Sequence, residues 1–149
     1  MVRKTIPVAL LIIVLVSGFL LKGKINGVIS EQMKKQAGTE VILSGETWVD
    51  SLFNYENNGK KYLYTLLEFS TDRCTVCKLM QTELGKIQKS RPEINVVYLN
   101  TMNPNTQNVM QYFGISATPT QLVLDKKGKE LFRNYGFITA ENLLLKTHH

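Results

Sequence analysis

The chain holds only two cysteines, and they stand three residues apart in Cys74-Thr75-Val76-Cys77. An apolar run over residues 62–69 comes shortly before them and a helical pattern directly after. A cysteine at a helix N-terminus lies in the partial positive charge of backbone N–H groups that lack an intrahelical acceptor. That field favours thiolate over thiol, and the thiolate is the species that attacks disulfides. A second cysteine three residues on shares the helix face and can reach back to close a disulfide. Strand, cysteine pair and helix therefore agree on thiol–disulfide redox chemistry. Two blander readings compete. The pair could be half of a zinc site, but zinc takes about four ligands, and the sequence has no second CxxC and no HxxxH. His148 and His149 are terminal and read equally well as a cloning remnant. Alternatively, the cysteines could be small buried residues without a redox role.

Hydrophobic periodicity supplies the elements that would position this pair. Val41-Ile42-Leu43 reads as a short strand, and Ser44 can cap a helix over 46–55, where Trp48, Leu52 and Phe53 recur at helical spacing. Asn57-Asn58-Gly59 turns the chain into the 62–69 strand, whose near-continuous apolar character fits the centre of a sheet. The helix after the cysteines runs to about Ser90 with Met80, Leu84 and Ile87 inward, and Pro92 closes it. Residues 94–99 form a strand, and 105–113 a helix ended by Gly114. Residues 121–124 and 129–132 flank Asp125-Lys126-Lys127-Gly128 as a hairpin, and a last helix covers 139–145. The order is βαβαβαββα, an α/β fold, with no internal repeat or low-complexity stretch.

At 149 residues there is room for one domain and an appendage, and 44% hydrophobic with 20% charged residues is ordinary for a globular chain. One cysteine pair cannot make a multi-bridge framework, so the fold must rest on an apolar core. The net charge of +6 comes from scattered lysines, with no dense basic stretch interleaved with aromatics. It therefore implies solubility and mild attraction to anionic membranes, and no nucleic acid. After Met1-Val2-Arg3-Lys4, residues 6–21 are apolar except for Pro7, Ser17 and Gly18, and Lys22 and Lys24 follow. Sixteen helical residues span about 24 Å, slightly short of a ~30 Å hydrocarbon core. Flanking lysines can snorkel to close the gap. Residues 1–24 thus read as an uncleaved signal anchor, 25–40 as a linker (a tether or short helix), and 41–149 as the domain. The competing reading is a cleaved secretory signal with small residues at Val16-Ser17-Gly18, which would start the mature chain on Phe19-Leu20-Leu21. Arg3 and Lys4 balance Lys22 and Lys24, so the charge count barely orients the segment. The short N-terminal tail favours N-in, C-out, which places the cysteines outside the cytoplasm, in a bacterial envelope or periplasm, or secreted if the segment is cleaved.

From Val41 to Leu145 the chain resembles the thioredoxin-like superfamily. The residues that carry the resemblance are Glu68-Phe69, Cys74-Thr75-Val76-Cys77-Lys78, Val97-Tyr98-Leu99-Asn100, Tyr112-Phe113-Gly114-Ile115, Thr118-Pro119-Thr120 and Gly136-Phe137. The resemblance implies a thioredoxin fold, with a central mixed β-sheet flanked by helices. It implies Cys74 as nucleophile, Cys77 as the resolving thiol, and Pro119 as a cis-proline facing them. Glu68 would be the buried acid that takes up the resolving thiol's proton; against this stands a strand-end glutamate that reaches solvent or pairs with Lys60 or Lys61. Arg73, beside the nucleophile, adds positive charge that Asp72 partly offsets. Thr118 would offer its backbone to an incoming peptide, so that Thr118, Pro119 and Arg73 form the substrate-facing set. The chain departs from thioredoxins proper at Arg73, where they carry tryptophan, and at Thr75-Val76, where they carry Gly-Pro. Tyr98 stands where a lysine is common, which leaves Glu68 less counter-charge.

The same resemblance implies no cofactor beyond a redox-active Cys74–Cys77 disulfide and no metal. Its substrate would be a disulfide-containing or dithiol protein, and a membrane electron donor would recharge it. Membrane-anchored relatives often work as reductants, for example in cytochrome c maturation. The acid at Glu68 and the lack of a histidine between the cysteines lean the same way. Two alternatives stay open: a thiol oxidant that donates disulfides, and a non-catalytic peptide-binding module that uses the face around Thr118.

Overall fold

The computed structural model describes residues 2–147; Met1, His148 and His149 lie outside the described residues. The chain begins with α1 (Val2–Gln36), followed by α2 (Thr39–Phe53) and the single turn α3 (Tyr55–Asn58). Then come β1 (Tyr64–Ser70), α4 (Thr75–Ser90), β2 (Ile94–Asn100), α5 (Gln107–Phe113), β3 (Thr120–Asp125), β4 (Glu130–Tyr135) and α6 (Ala140–Leu144). The four strands make one mixed sheet in the order β2-β1-β3-β4. β1 pairs parallel with β2 and antiparallel with β3, and β3 pairs antiparallel with β4.

Six of the seven residues of β1 are buried because both its faces are covered. Leu67 and Phe69 face one way, with Leu122 and Leu124 of β3, and meet Val49 and Phe53 of α2 and Val109 and Phe113 of α5. Leu66 and Val123 face the other way and meet Met80, Leu84 and Ile87 of α4 and Leu143 of α6. The spacing of Cys77, Met80, Leu84 and Ile87, all fully buried, gives α4 one continuous inward stripe. That stripe fixes which way the cysteine end of α4 points.

The strand expected at Val41-Ile42-Leu43 does not form. These residues lie inside α2, and the reason is tertiary. Gly45, Val49 and Phe53 are buried at i, i+4 and i+8, and partly buried Val41 extends that stripe one turn back, while Ile42 and Leu43 are exposed. Helix packing against α5 thus overrides a local preference of β-branched residues for extended backbone.

Residues 25–40, read as a linker, continue α1 as far as Gln36 and then turn into α2. α1 packs on α5 and β4. The Ser30 hydroxyl donates to the Gly114 carbonyl and accepts from Arg133 Nη1 (2.6 Å), and Tyr135 Oη donates to the Asn26 carbonyl (3.3 Å). Farther towards the N-terminus, Leu10 to Val16 are all exposed, at 51–63% of their surface. Among the described residues no single helix is long and apolar enough to cross a membrane. Leu10–Gly18 and Gly23–Gln36, related by a 56° bend, meet that measure only together.

Candidate active site

Cys74 is the N-cap of α4, with extended backbone at φ −105° and ψ 116°. Its Sγ accepts from the Cys77 backbone N–H at 3.1 Å. The same atom that would carry the thiolate charge therefore sits on an orphan N–H at a helix N-terminus, where negative charge is stabilised. Cys74 is half-buried and Cys77 fully buried. The two form a disulfide, with Cα atoms 5.1 Å apart. An outside disulfide can meet the half-buried Cys74, whereas Cys77 has no exposed surface. Among the described residues no group of three or more His, Cys, Asp or Glu side chains could hold a metal ion.

Glu68 lies in the middle of β1 with none of its surface exposed. Strand alternation puts it on the Leu66 face, the one that α4 covers. Lys60 and Lys61 are exposed and precede the other end of the strand, so they do not pair with it. Its partner is Gln121, directly opposite on β3, whose Nε2 donates to Oε2 at 2.8 Å. The second oxygen, Oε1, is buried without a hydrogen bond. Burial pushes this carboxyl up to about 8, and the Gln121 hydrogen bond opposes that rise. Tyr98, opposite Glu68 on β2, is partly exposed; its phenol is raised by burial first and by the Glu68 charge second. A phenol thus stands where a cation would have lowered the carboxyl.

Gln121 and Asn134 escaped the reading of the sequence. Gln121 is fully buried, and its Oε1 accepts from Asn134 Nδ2 at 2.6 Å. Asn134 also donates to the Gly136 carbonyl at 3.0 Å. The three side chains lie side by side across β1, β3 and β4, since Glu68 registers with Gln121 and Gln121 with Asn134. The available signal was a glutamine opening an otherwise apolar strand, with an asparagine thirteen residues on across a hairpin.

The Thr118–Pro119 peptide bond is cis. Pro119 is buried and Thr118 exposed. Its loop is fixed from both sides: the Thr120 hydroxyl donates to the Ala117 carbonyl (2.7 Å) and the Gly136 N–H donates to the Pro119 carbonyl (2.8 Å). A shallow cavity of about 230 Å³ adjoins it, lined by Thr101, Met110, Ile115, Ser116, Ala117 and Thr118. Arg73 is exposed beside Cys74. Asp72 is drawn sideways to Asn100, whose Nδ2 donates to Oδ2 at 3.2 Å.

The chain is similar to known proteins. Residues 50–148 match the family described as thioredoxin-like domain. The chloroplastic thioredoxin-like protein HCF164 of Oryza sativa subsp. japonica is 33% identical over 75 residues, which make up 50% of this chain and 28% of that protein. The Arabidopsis thaliana protein of the same name matches equally. This chain thus spans 28% of the length of the curated relatives it matches. Among solved structures, thioredoxin-2 of the malaria parasite is similar with a TM-score of 0.53 and 25% identity, covering 60% of this chain and 86% of that one. StoA from Bacillus subtilis is similar with a TM-score of 0.50 and 23% identity, covering 60% of this chain and 85% of that one, a likeness of fold.

Proposed function

Because this chain belongs to the thioredoxin-like domain family, we propose that it is a membrane-anchored, extracytoplasmic thiol–disulfide oxidoreductase that works in the reducing direction on protein disulfides. The observation that carries the reading is Cys74 Sγ at the N-cap of α4, on the Cys77 N–H and ahead of a buried partner thiol. In the reduced protein, the Cys74 thiolate attacks one sulfur of a substrate disulfide, and the other substrate sulfur leaves as a thiolate. Cys77 then gives up its proton and attacks Cys74 Sγ, which releases the second substrate sulfur and leaves the Cys74–Cys77 disulfide. Two electrons pass from the pair to the substrate.

Glu68 is the proton acceptor for Cys77 in this scheme. A carboxyl held near 8 can take up and return a proton around neutral pH, which an ordinary carboxylate does poorly. Pro119 and the Thr118 backbone receive the substrate chain beside the cysteines, with Arg73 at the rim. The anchor is read from residues 6–21, whose apolar side chains from Leu10 to Val16 are exposed on α1, as a helix apolar all round would be within lipid. A membrane electron donor returns the disulfide to the dithiol.

The test is the reduction potential of the Cys74–Cys77 pair in the full chain, equilibrated against glutathione. A value near the thioredoxin figure of about −270 mV fits a reductant. A value near the strong-oxidant figure of about −120 mV would reverse the direction and make the protein a disulfide donor.

A further inference from the structure

α1 meets the domain along β4, and the order of its contacts gives it a direction. The Asn26 carbonyl accepts from Tyr135 Oη (3.3 Å) and Ser116 Oγ (3.4 Å). One turn on, Ser30 bonds Gly114 and Arg133, and one turn further Lys34 pairs with Glu130 at 3.6 Å. Residues 26, 30 and 34 thus descend β4 from Tyr135 to Glu130. Tyr135 registers with Thr120, and the next N–H, from Gly136, bonds the Pro119 carbonyl. The Asn26 end of the contact is therefore the cis-proline end of the sheet. The residues just before Asn26 on the stretch Gly23–Gln36 therefore project beyond the catalytic end of the domain, not beyond the hairpin end.

The distance to the apolar segment is short. Leu21 precedes Asn26 by five residues, about 8 Å of helix. Lys24, on the same straight stretch Gly23–Gln36, is about 3 Å away along the axis. The catalytic end also carries large apolar side chains in solvent. Met102, just past β2, is 75% exposed, Phe137, just past β4, is 49% exposed, and Val76 in the first turn of α4 is 41% exposed. The opposite end, around the Asp125-Lys126-Lys127-Gly128 turn, carries lysines beside Leu63 and Leu131, 54% and 44% exposed, so the direction of α1, and not apolar exposure alone, decides which end faces the lipid. Membrane-surface contacts favour apolar tips that enter the headgroup layer.

We propose that α1 is a rigid bracket that lays the catalytic end of the domain, Met102 and Phe137 foremost, against the surface of the bilayer that holds residues 6–21. This rests on the membrane-anchored reading of those residues and goes beyond it. A flexible tether would let the active site face any direction, whereas the Asn26, Ser30 and Lys34 contacts fix it towards the lipid. The 56° bend between Leu10–Gly18 and Gly23–Gln36 leans the second segment over, so that the domain lies beside the exit point of the helix. Disulfides at the membrane boundary are then the ones best placed to reach Cys74.

The test uses the full chain in nanodiscs of phosphatidylcholine and phosphatidylglycerol, with Cys74→Ser and Cys77→Ser so that one introduced cysteine carries a fluorophore. Met102→Cys places the label at the catalytic end and Lys127→Cys at the hairpin end; both positions are exposed. Quenching by lipids spin-labelled at the headgroup should be at least threefold stronger at position 102 than at 127. Equal quenching, or the reverse order, overturns the proposal. Gly114→Ala, added to each, places a Cβ against the Ser30 carbonyl and gives a non-glycine residue a φ of +61°, which should lift α1 and bring the two signals together. An unchanged contrast there would overturn the bracket. Both cysteines are replaced, so the outcome is independent of the redox reading. A chain that fails to enter the discs overturns the anchor and the bracket together; one that enters with equal quenching overturns the bracket alone.

Discussion

Replacing Glu68 by glutamine should flatten the dependence of stability on pH. The carboxyl has an ordinary value of 4.5 and a value of about 8 in the fold. Between these, the folded protein holds a proton that the unfolded chain has already released. The stabilising effect is fully present below about pH 4.5 and is lost as pH rises through about 8. Each tenfold step in a proton equilibrium is about 1.4 kcal/mol. From pH 5 to pH 8 the wild-type protein should therefore lose roughly 3–4 kcal/mol through this one group. Glutamine keeps an oxygen for the Gln121 N–H but cannot ionise. Its amide replaces the unbonded Oε1, and any penalty for that, about 1–3 kcal/mol, does not change with pH. The slope, not the absolute stability, carries the information. Urea unfolding of the full-length disulfide form in non-ionic detergent, at steps from pH 5 to 8, measures it for both proteins. Curves that run parallel within about 1 kcal/mol would refute the raised carboxyl and, with it, the proton role of Glu68.

Three further outcomes follow from neighbouring contacts. Gln121→Leu removes the hydrogen bond that holds the Glu68 value down, so the carboxyl should titrate at higher pH than in the wild type, read by infrared absorption of the protonated group. It also removes one of the two acceptors of Asn134, leaving the Gly136 carbonyl, and should lower stability by about 1–3 kcal/mol. Gly45→Ala and Gly85→Ala are both glycine-to-alanine changes inside helices, yet should differ in sign. A Cβ at Gly85 meets nothing within 4 Å and should stabilise by up to about 1 kcal/mol. One at Gly45 runs into the Tyr112 ring and should destabilise by about 1–3 kcal/mol. Thermal unfolding of the pair decides it, and a shared sign would refute the packing of α2 on α5.

The elements that a local pattern determines were legible in the chain. The apolar run around β1, the stripe Met80, Leu84, Ile87 of α4 and the turn at Lys127-Gly128 each follow from spacing or from residues with special backbone freedom. Glycine at 128, for instance, sits at a φ of +80°, where side chains are strained. Elements that depend on what packs against them were less legible. Val41-Ile42-Leu43 has strand chemistry but helical neighbours, and only the position of α5 decides between them. The contact of α1 with the domain joins the Asn26 carbonyl, Ser30 and Lys34 to Ser116, Tyr135, Arg133 and Glu130, some 90 residues or more away, and no local pattern announces it. Within the site, Cys74, Cys77 and Glu68 stood out by type. Gln121 and Asn134 matter through cross-strand register, which a single strand does not encode.

The central claim is that Cys74 attacks first and Cys77 resolves, and trapping tests it most directly. Cys77→Ser protein, reduced and full-length, is mixed with a protein disulfide and run on a non-reducing gel with mass spectrometry of the adduct. The account predicts a stable mixed disulfide through Cys74 Sγ, reversed by dithiothreitol, and little or none with Cys74→Ser, whose remaining thiol is buried. An adduct that forms through Cys77 in the Cys74→Ser protein as readily as through Cys74, or none in either, would contradict it.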